Sequence, residues 1–158
     1  MTRIRREFTV DVPLAAAWQH LASVERWPSW AKHIRRAELV PHGQLTSQSS
    51  GAFHLGNGIR STFRMAEYNP HHNWKWVGHF LWLSVSYDHR FYELAAERTK
   101  LVWVVEIKGV GESSFGRAFA AIYRRNLDKA IPNLIAEMNS QHRCSAEGEV
   151  GQGACNED

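Results

Sequence analysis

The sequence predicts an α+β domain, an antiparallel sheet followed by one long helix, and three observations carry that reading. Up to about Lys108, short runs of apolar residues alternate with polar ones, which is the period of half-buried strands. The runs are joined by hairpin-length links, so consecutive strands pair antiparallel. From about Ser113 to Ser140 the period changes. Phe115, Phe119, Ile122, Tyr123, Leu127, Ala130, Leu134 and Met138 recur three and four residues apart, the spacing of one helical face. Helices set apart from strands make the class α+β rather than alternating α/β.

Taken in order, Ile4, Phe8, Val10 and Val12 alternate with charged and polar neighbours and form a first strand. Arg6 breaks its apolar phase, as an edge-strand residue does, or one that pairs with an acid or reaches the rim of a buried space. Pro13 opens a short helix where a missing N–H is harmless, with Leu14, Trp18 and Leu21 spaced for burial. Ser23 is placed to cap a second short helix, VERWPSWAKHI, which Pro28 interrupts early. From Glu38 onward about six consecutive strands follow, punctuated by Gly43, Gly51, Gly56, Asn57, Gly58 and the Asn69-Pro70 pair. Val85, Tyr87, His89 and Phe91 share one strand face, and Leu101, Trp103, Val105 and Ile107 make the cleanest buried one. ELAAERTK is the connection between those two runs. In the long helix Pro132 interrupts the pattern, at a cost of about 3 kcal/mol or a kink, and Asn126 lies on the apolar stripe.

The totals fit one core. A chain of 158 residues with 44% hydrophobic residues is long enough for one domain and short for two. Seven Trp and seven Phe are a heavy aromatic load that serves either a packed core or an apolar cavity. A net charge of +3 from scattered Arg and Lys argues for neither nucleic acid nor membrane as partner. MTRIRREFTV has no apolar signal region and no run approaches a membrane span, so a soluble cytoplasmic protein is expected. Cys144 and Cys155 lie in a polar stretch, residues 142–158, read as a disordered tail with exposed thiols, a terminal disulfide being the alternative under oxidising conditions.

Two stretches resemble the START-like helix-grip superfamily, which includes polyketide cyclase/dehydrase-like proteins, lipid-transfer domains and plant carriers of hydrophobic ligands. FTVDVPLAAAWQHLASVERWPSW gives a strand, a Pro-led helix with Trp18 and a second short helix holding Trp27-Pro28-x-Trp30; AEYNPHHNWKW gives a strand, an Asn-Pro turn and a Trp-bearing strand. The likeness covers about Arg3 to Asn139, within a domain taken as residues 1–141. It implies a helix-grip fold: a curved antiparallel sheet of about seven strands wrapped around the long C-terminal helix, with a ligand cavity between them. The family shares that cavity and no common catalytic motif.

The residues themselves carry no Gly-rich phosphate loop, metal-spaced His/Cys set or nucleophile elbow, so no metal or cofactor is expected. His71 and His72 follow a turn and read as solvated. Inward-facing phase makes Phe63, Met65, Trp76, Phe80, Tyr87, His89, Phe91 and Trp103 the expected lining from the sheet, and Phe119, Tyr123, Asn126 and Ala130 that from the helix. The same aromatic stripe also suits plain core. His89 is commonly a core histidine satisfied by a neighbour, or else a group that orients a ligand or moves a proton. The leading function is binding of a small hydrophobic, lipid-like, aromatic or polyketide-like molecule. The alternatives are a polyketide cyclase/dehydratase-type enzyme, for which His89 and Tyr123 are the residues available, and a protein-interaction module.

Overall fold

The computed structural model describes residues 1–109 and 114–148. The elements are β1 (Thr2–Val10), α1 (Leu14–Ala22), a 3-10 helix (Val24–Ser29), β2 (Ile34–Val40), β3 (Ser50–Leu55), β4 (Arg60–Asn69), β5 (Asn73–Phe80), β6 (Leu83–Ala95), β7 (Arg98–Lys108) and α2 (Ser114–Gly148). All seven strands join one antiparallel sheet in the order β1-β7-β6-β5-β4-β3-β2. β1 and β2 are therefore the two edges, and α1 with the 3-10 helix carries the chain from one edge to the other. Register shifts at Ile34/Arg36, Met65/Glu67 and Glu93/Ala95 add local twist and bend to strands that must curve around a helix.

The α+β helix-grip architecture agrees with the sequence, while several boundaries differ. The second short helix is a single 3-10 segment ending at Ser29, so Ile34 already belongs to a strand. Pro28 sits inside it, where a missing N–H limits regular helix. Ser23 does not cap it; its hydroxyl donates back to the carbonyl of Gln19 at 3.0 Å. The link between β6 and β7 is only Ala96-Glu97, because both strands run further than their apolar phase. α2 runs unbroken through Pro132 and on past His142 to Gly148, into the stretch read as disordered. His142 Nε2 lies 2.6 Å from Glu97 Oε2, and Cys144 is disulfide-bonded, not a free thiol; Cys155 lies outside the described residues.

The second half of α2 is held down from several directions. Arg6 donates to both carboxylate oxygens of Asp128, at 2.7 and 3.2 Å, so the arginine that broke the β1 phase is at once on an edge strand and paired to an acid. Asn139 Oδ1 accepts from the Asp11 backbone N–H at 2.9 Å, and Asn133 Nδ2 donates to the Trp30 carbonyl at 3.2 Å. His20 and Glu137 approach to 2.8 Å between α1 and α2. Below these contacts Ala130, Ile131, Leu134 and Met138 are buried. Trp18 of α1 packs its indole among Tyr68, Trp74 and Phe91, with ring centroids 4.9–5.8 Å apart.

Trp30 joins the connecting segment to both layers. It is 3% exposed, and its ring lies 5.2 Å from Trp27 and 6.0 Å from Trp103. Trp30→Ala is expected to cost about 3 to 5 kcal/mol, the usual loss for a buried indole, measured as a shift in urea midpoint; a loss under about 1 kcal/mol would contradict this packing.

Candidate functional site

Between the inner face of the sheet and the first half of α2 lies a cavity of about 290 Å³. Its floor comes from the central strands through Trp76, Phe80, Tyr87, His89 and Trp103. Phe53, Leu55, Ile59 and Ser61 of the β3–β4 hairpin form one wall, and Trp27, Trp30, His33 and Ile34 close the end under the connecting segment. The roof is α2, through Phe115, Phe119, Ile122, Tyr123, Asn126 and Ala130. Most of this roof, from Phe115 to Leu127, precedes the first clamp on the helix, at Asp128.

The structure brings together nine of the residues that the sequence phase assigned to the lining: Trp76, Phe80, Tyr87, His89, Trp103, Phe119, Tyr123, Asn126 and Ala130. Phe63, Met65 and Phe91 are not on the wall. Phe63 stands behind it, its ring 5.0 Å from Phe53 and 4.5 Å from Trp76, packed over Gly51, where a Cβ would meet the ring at 2.6 Å. Met65 lies beside Trp76 in the register and is only partly buried. Phe91 keeps the correct face but sits farther along β6, where Trp18 and Trp74 cover it at 4.9 and 5.2 Å. His71 and His72 are exposed, His71 at a turn with φ 63°. The end formed by Trp27, Trp30 and His33 was missed as lining, because their segment has no strand or helix period; Phe53 and Leu55 did carry a signal in their alternation.

Antiparallel register builds the polar part of the floor. Trp74, His89 and Trp103 are direct partners across β5, β6 and β7, so their rings form one row, 5.1 Å and 5.5 Å between centroids. Trp74 Nε1, His89 Nδ1 and Trp103 Nε1 are all buried and make no hydrogen bond among the described residues. His89 Nδ1 thus lacks a partner of good geometry, although the backbone of Trp74 and of Tyr87 lies near enough to favour the protonated ring. Buried polar atoms are paired in most native interiors, and Trp27 shows the ordinary case, its Nε1 donating to the Leu21 carbonyl at 2.9 Å. Two members of the unpaired row, His89 and Trp103, are on the cavity wall.

Burial also fixes the charge of the cavity. It lowers His89 from 6.5 to about 4, outweighing the opposite pull of the Asp88 carboxylate, and it lowers His33 as well. It raises the Tyr87 and Tyr123 phenols, whose rings lie 5.7 Å apart. Both histidines are neutral and both phenols protonated at pH 7, so these four groups offer hydrogen bonds without charge; the one carboxylate nearby, Asp88, is paired to Arg90 at 2.7 Å. Among the described residues no group of three or more His, Cys, Asp or Glu is arranged to hold a metal ion.

With this geometry the kinship can be read. The sequence profile of the family described as "Polyketide cyclase / dehydrase and lipid transport" matches residues 1–138. The chain belongs to that family. Among solved structures, it is similar to the Zhui aromatase/cyclase from Streptomyces sp. R1128, with a TM-score of 0.73 and 17% identity over 91% of this chain and 97% of that one. It is likewise similar to Ara h 8.0201, with a TM-score of 0.69 and 15% identity over 88% and 98% of the two chains. The di-domain ARO/CYC BexL from the BE-7585A biosynthetic pathway gives 0.64 and 17%, over 89% of this chain and 46% of that one. At such identities the likeness establishes the fold. No curated protein matches the sequence.

The depressed His89 has a measurable consequence. As pH falls the unfolded chain takes up its proton near 6.5 and the folded chain only near 4, so stability is full above about pH 6.5 and declines toward pH 4, by on the order of 3 kcal/mol. His33 contributes with the same sign. His89→Gln is expected to flatten the fall in urea midpoint between pH 7 and pH 4.5; an undiminished slope would show that His89 is not the group being charged.

Proposed function

We propose that the chain binds an uncharged, largely aromatic or otherwise hydrophobic molecule bearing a hydroxyl or carbonyl oxygen, held between the sheet and the first half of α2. The observation that supports this most is a largely apolar, aromatic-lined cavity whose wall includes His89 and Trp103, the two residues that keep unpaired Nδ1 and Nε1 atoms just behind it. An indole N–H only donates, and the imidazole donates or accepts according to its tautomer, so a ligand oxygen that reaches them after a small shift of the rings would satisfy groups that the protein itself leaves unbonded. Size sets the class further. The cavity is about twice the ~150 Å³ space that accommodates benzene, room for a molecule of roughly two or three rings. Rings from Trp76, Phe80 and Phe119 supply the apolar contact, at about 25 cal/mol per Å² buried, and Tyr123 and Asn126 set orientation from the roof.

A second reading is a cyclase or dehydratase, favoured by the likeness to the Zhui aromatase/cyclase and to BexL. In that reading the cavity folds a poly-ketone chain, and His89 with Tyr123 promotes enolisation or loss of water. Binding remains the stronger reading. A general base works best with a pKa near the working pH, whereas burial holds His89 near 4 and makes both phenols weaker acids.

Ala130 offers the test. It is 2% exposed yet on the cavity wall, so an indole grafted there can occupy space meant for ligand. Ala130→Trp is expected to keep its melting temperature within a few degrees while losing the fluorescence enhancement of a naphthalene-sulfonate dye that the parent shows. Close-packed core gives the reverse pairing: strain of about 1 to 3 kcal/mol or more in the variant, and no dye uptake by the parent to lose. That result would overturn the binding reading.

A further inference from the structure

At the mouth of the cavity, where its lining reaches the surface, lies an apolar and basic rim. Leu81 and Trp82, the whole of the β5–β6 link, are 67% and 61% exposed, and on α2 Phe115 and Ile122 are 40% and 63% exposed. The two parts touch: Trp82 and Phe115 have ring centroids 5.1 Å apart, and Phe115 continues inward by stacking on Phe80 at 6.5 Å. Leu81 holds its turn at φ 53°, a left-handed conformation that favours glycine and is sparsely used by large side chains. A turn of this kind with two large apolar side chains in water gains nothing for the isolated fold, and clustered exposure of this sort marks an interaction surface.

Charge identifies the partner. Between Ser114 and Lys129, α2 carries Arg117, Arg124, Arg125 and Lys129 against the single acid Asp128, which Arg6 already engages. None of the four cations forms an ion pair among the described residues. Arg125 and Lys129 stand three and seven residues after Ile122, and Ile122 seven after Phe115, so these four share one helical edge. An acidic protein patch would also complement these cations, and it is the exposed Trp and aliphatic side chains beside them that favour a lipid surface. A rim carrying an exposed Trp, aliphatic side chains and cations of one sign suits a surface of diffuse negative charge with an apolar interior, which is the boundary of an anionic bilayer.

We propose that the cavity mouth docks on anionic lipid bilayers, with Leu81, Trp82, Phe115 and Ile122 entering the headgroup boundary and Arg125 and Lys129 against the lipid phosphates. The attachment is peripheral, since no helix of the described residues is long and apolar enough to cross a membrane. It concerns the rim alone and does not depend on what the cavity holds.

Sedimentation of the full chain with phosphatidylcholine vesicles, with and without phosphatidylglycerol, tests the proposal. Binding is expected to be about tenfold tighter or more on the anionic vesicles and to weaken with salt. Leu81→Ser with Trp82→Ser is expected to lower it about tenfold, and Arg125→Glu with Lys129→Glu to abolish the preference for phosphatidylglycerol; both pairs are exposed, so unchanged melting temperatures accompany the loss. Ala130→Trp is expected to bind vesicles as the parent does, which separates failure of docking from failure of the cavity reading. No binding to either vesicle, or binding that both double variants retain, overturns the proposal. So does a concentration-dependent dimer that the Leu81/Trp82 variant loses, which would assign the rim to a second copy of this chain.

Discussion

Everything distinctive about this molecule follows from where its long helix is clamped. Arg6, Asn139, Asn133 and the His20–Glu137 pair hold the second half of α2 against an edge strand, the connecting segment and α1. The roof over the cavity, from Phe115 to Ala130, carries Phe, Tyr and Asn side chains and takes its position from that anchor rather than from dense packing beneath it. Asp128 is exposed and Arg6 half-buried, so their pairing adds modestly to stability; its contribution is to fix the height and direction of the helix. The buried Ala130, Ile131, Leu134 and Met138 supply the apolar burial that keeps it there.

Under that roof the sheet retains polar groups that a close-packed core would have satisfied or omitted. A cross-strand row of Trp74, His89 and Trp103 keeps three unbonded nitrogens in an aromatic setting. An unsatisfied buried donor costs about 1 to 3 kcal/mol, and the suppressed protonation of His89 adds a penalty at acid pH. Strain on folding concentrated on the wall of a cavity is the usual sign of a binding site. The same burial that makes His89 a poor base makes the cavity hospitable to neutral molecules, which ties the electrostatics to the proposed ligand class.

Much of this was legible in the sequence, and the failures have physical causes. Period-2 alternation in β6 and β7 placed Tyr87, His89 and Trp103 on the inner face, and the three-four spacing of α2 placed Phe119, Tyr123 and Ala130 opposite them, because phase determines which way a side chain points. Phase does not say how far along a strand the cavity extends. Phe91 shares the face of His89 yet lies under α1, and Phe63 is screened by Phe53; both depend on tertiary neighbours. His33 and the Trp27 and Trp30 rings sit in an irregular connection, which has no period to read. α2 outruns its apolar stripe to Gly148 because polar residues continue a helix once it has been nucleated and docked.

The unpaired indole on the cavity wall provides the most direct measurement. Nitrogen-proton correlation spectra resolve the indole N–H groups, and Trp103→Phe assigns the one that belongs to the cavity. On titration with 1-naphthol, a two-ring phenol, the Trp103 indole proton is expected to move downfield in a saturable way as its N–H gains an acceptor, with a larger shift than any other indole in the chain. A Trp103 resonance that stays in place through the titration, or shifts confined to the exposed Trp82, would contradict a cavity that receives an oxygen-bearing apolar molecule.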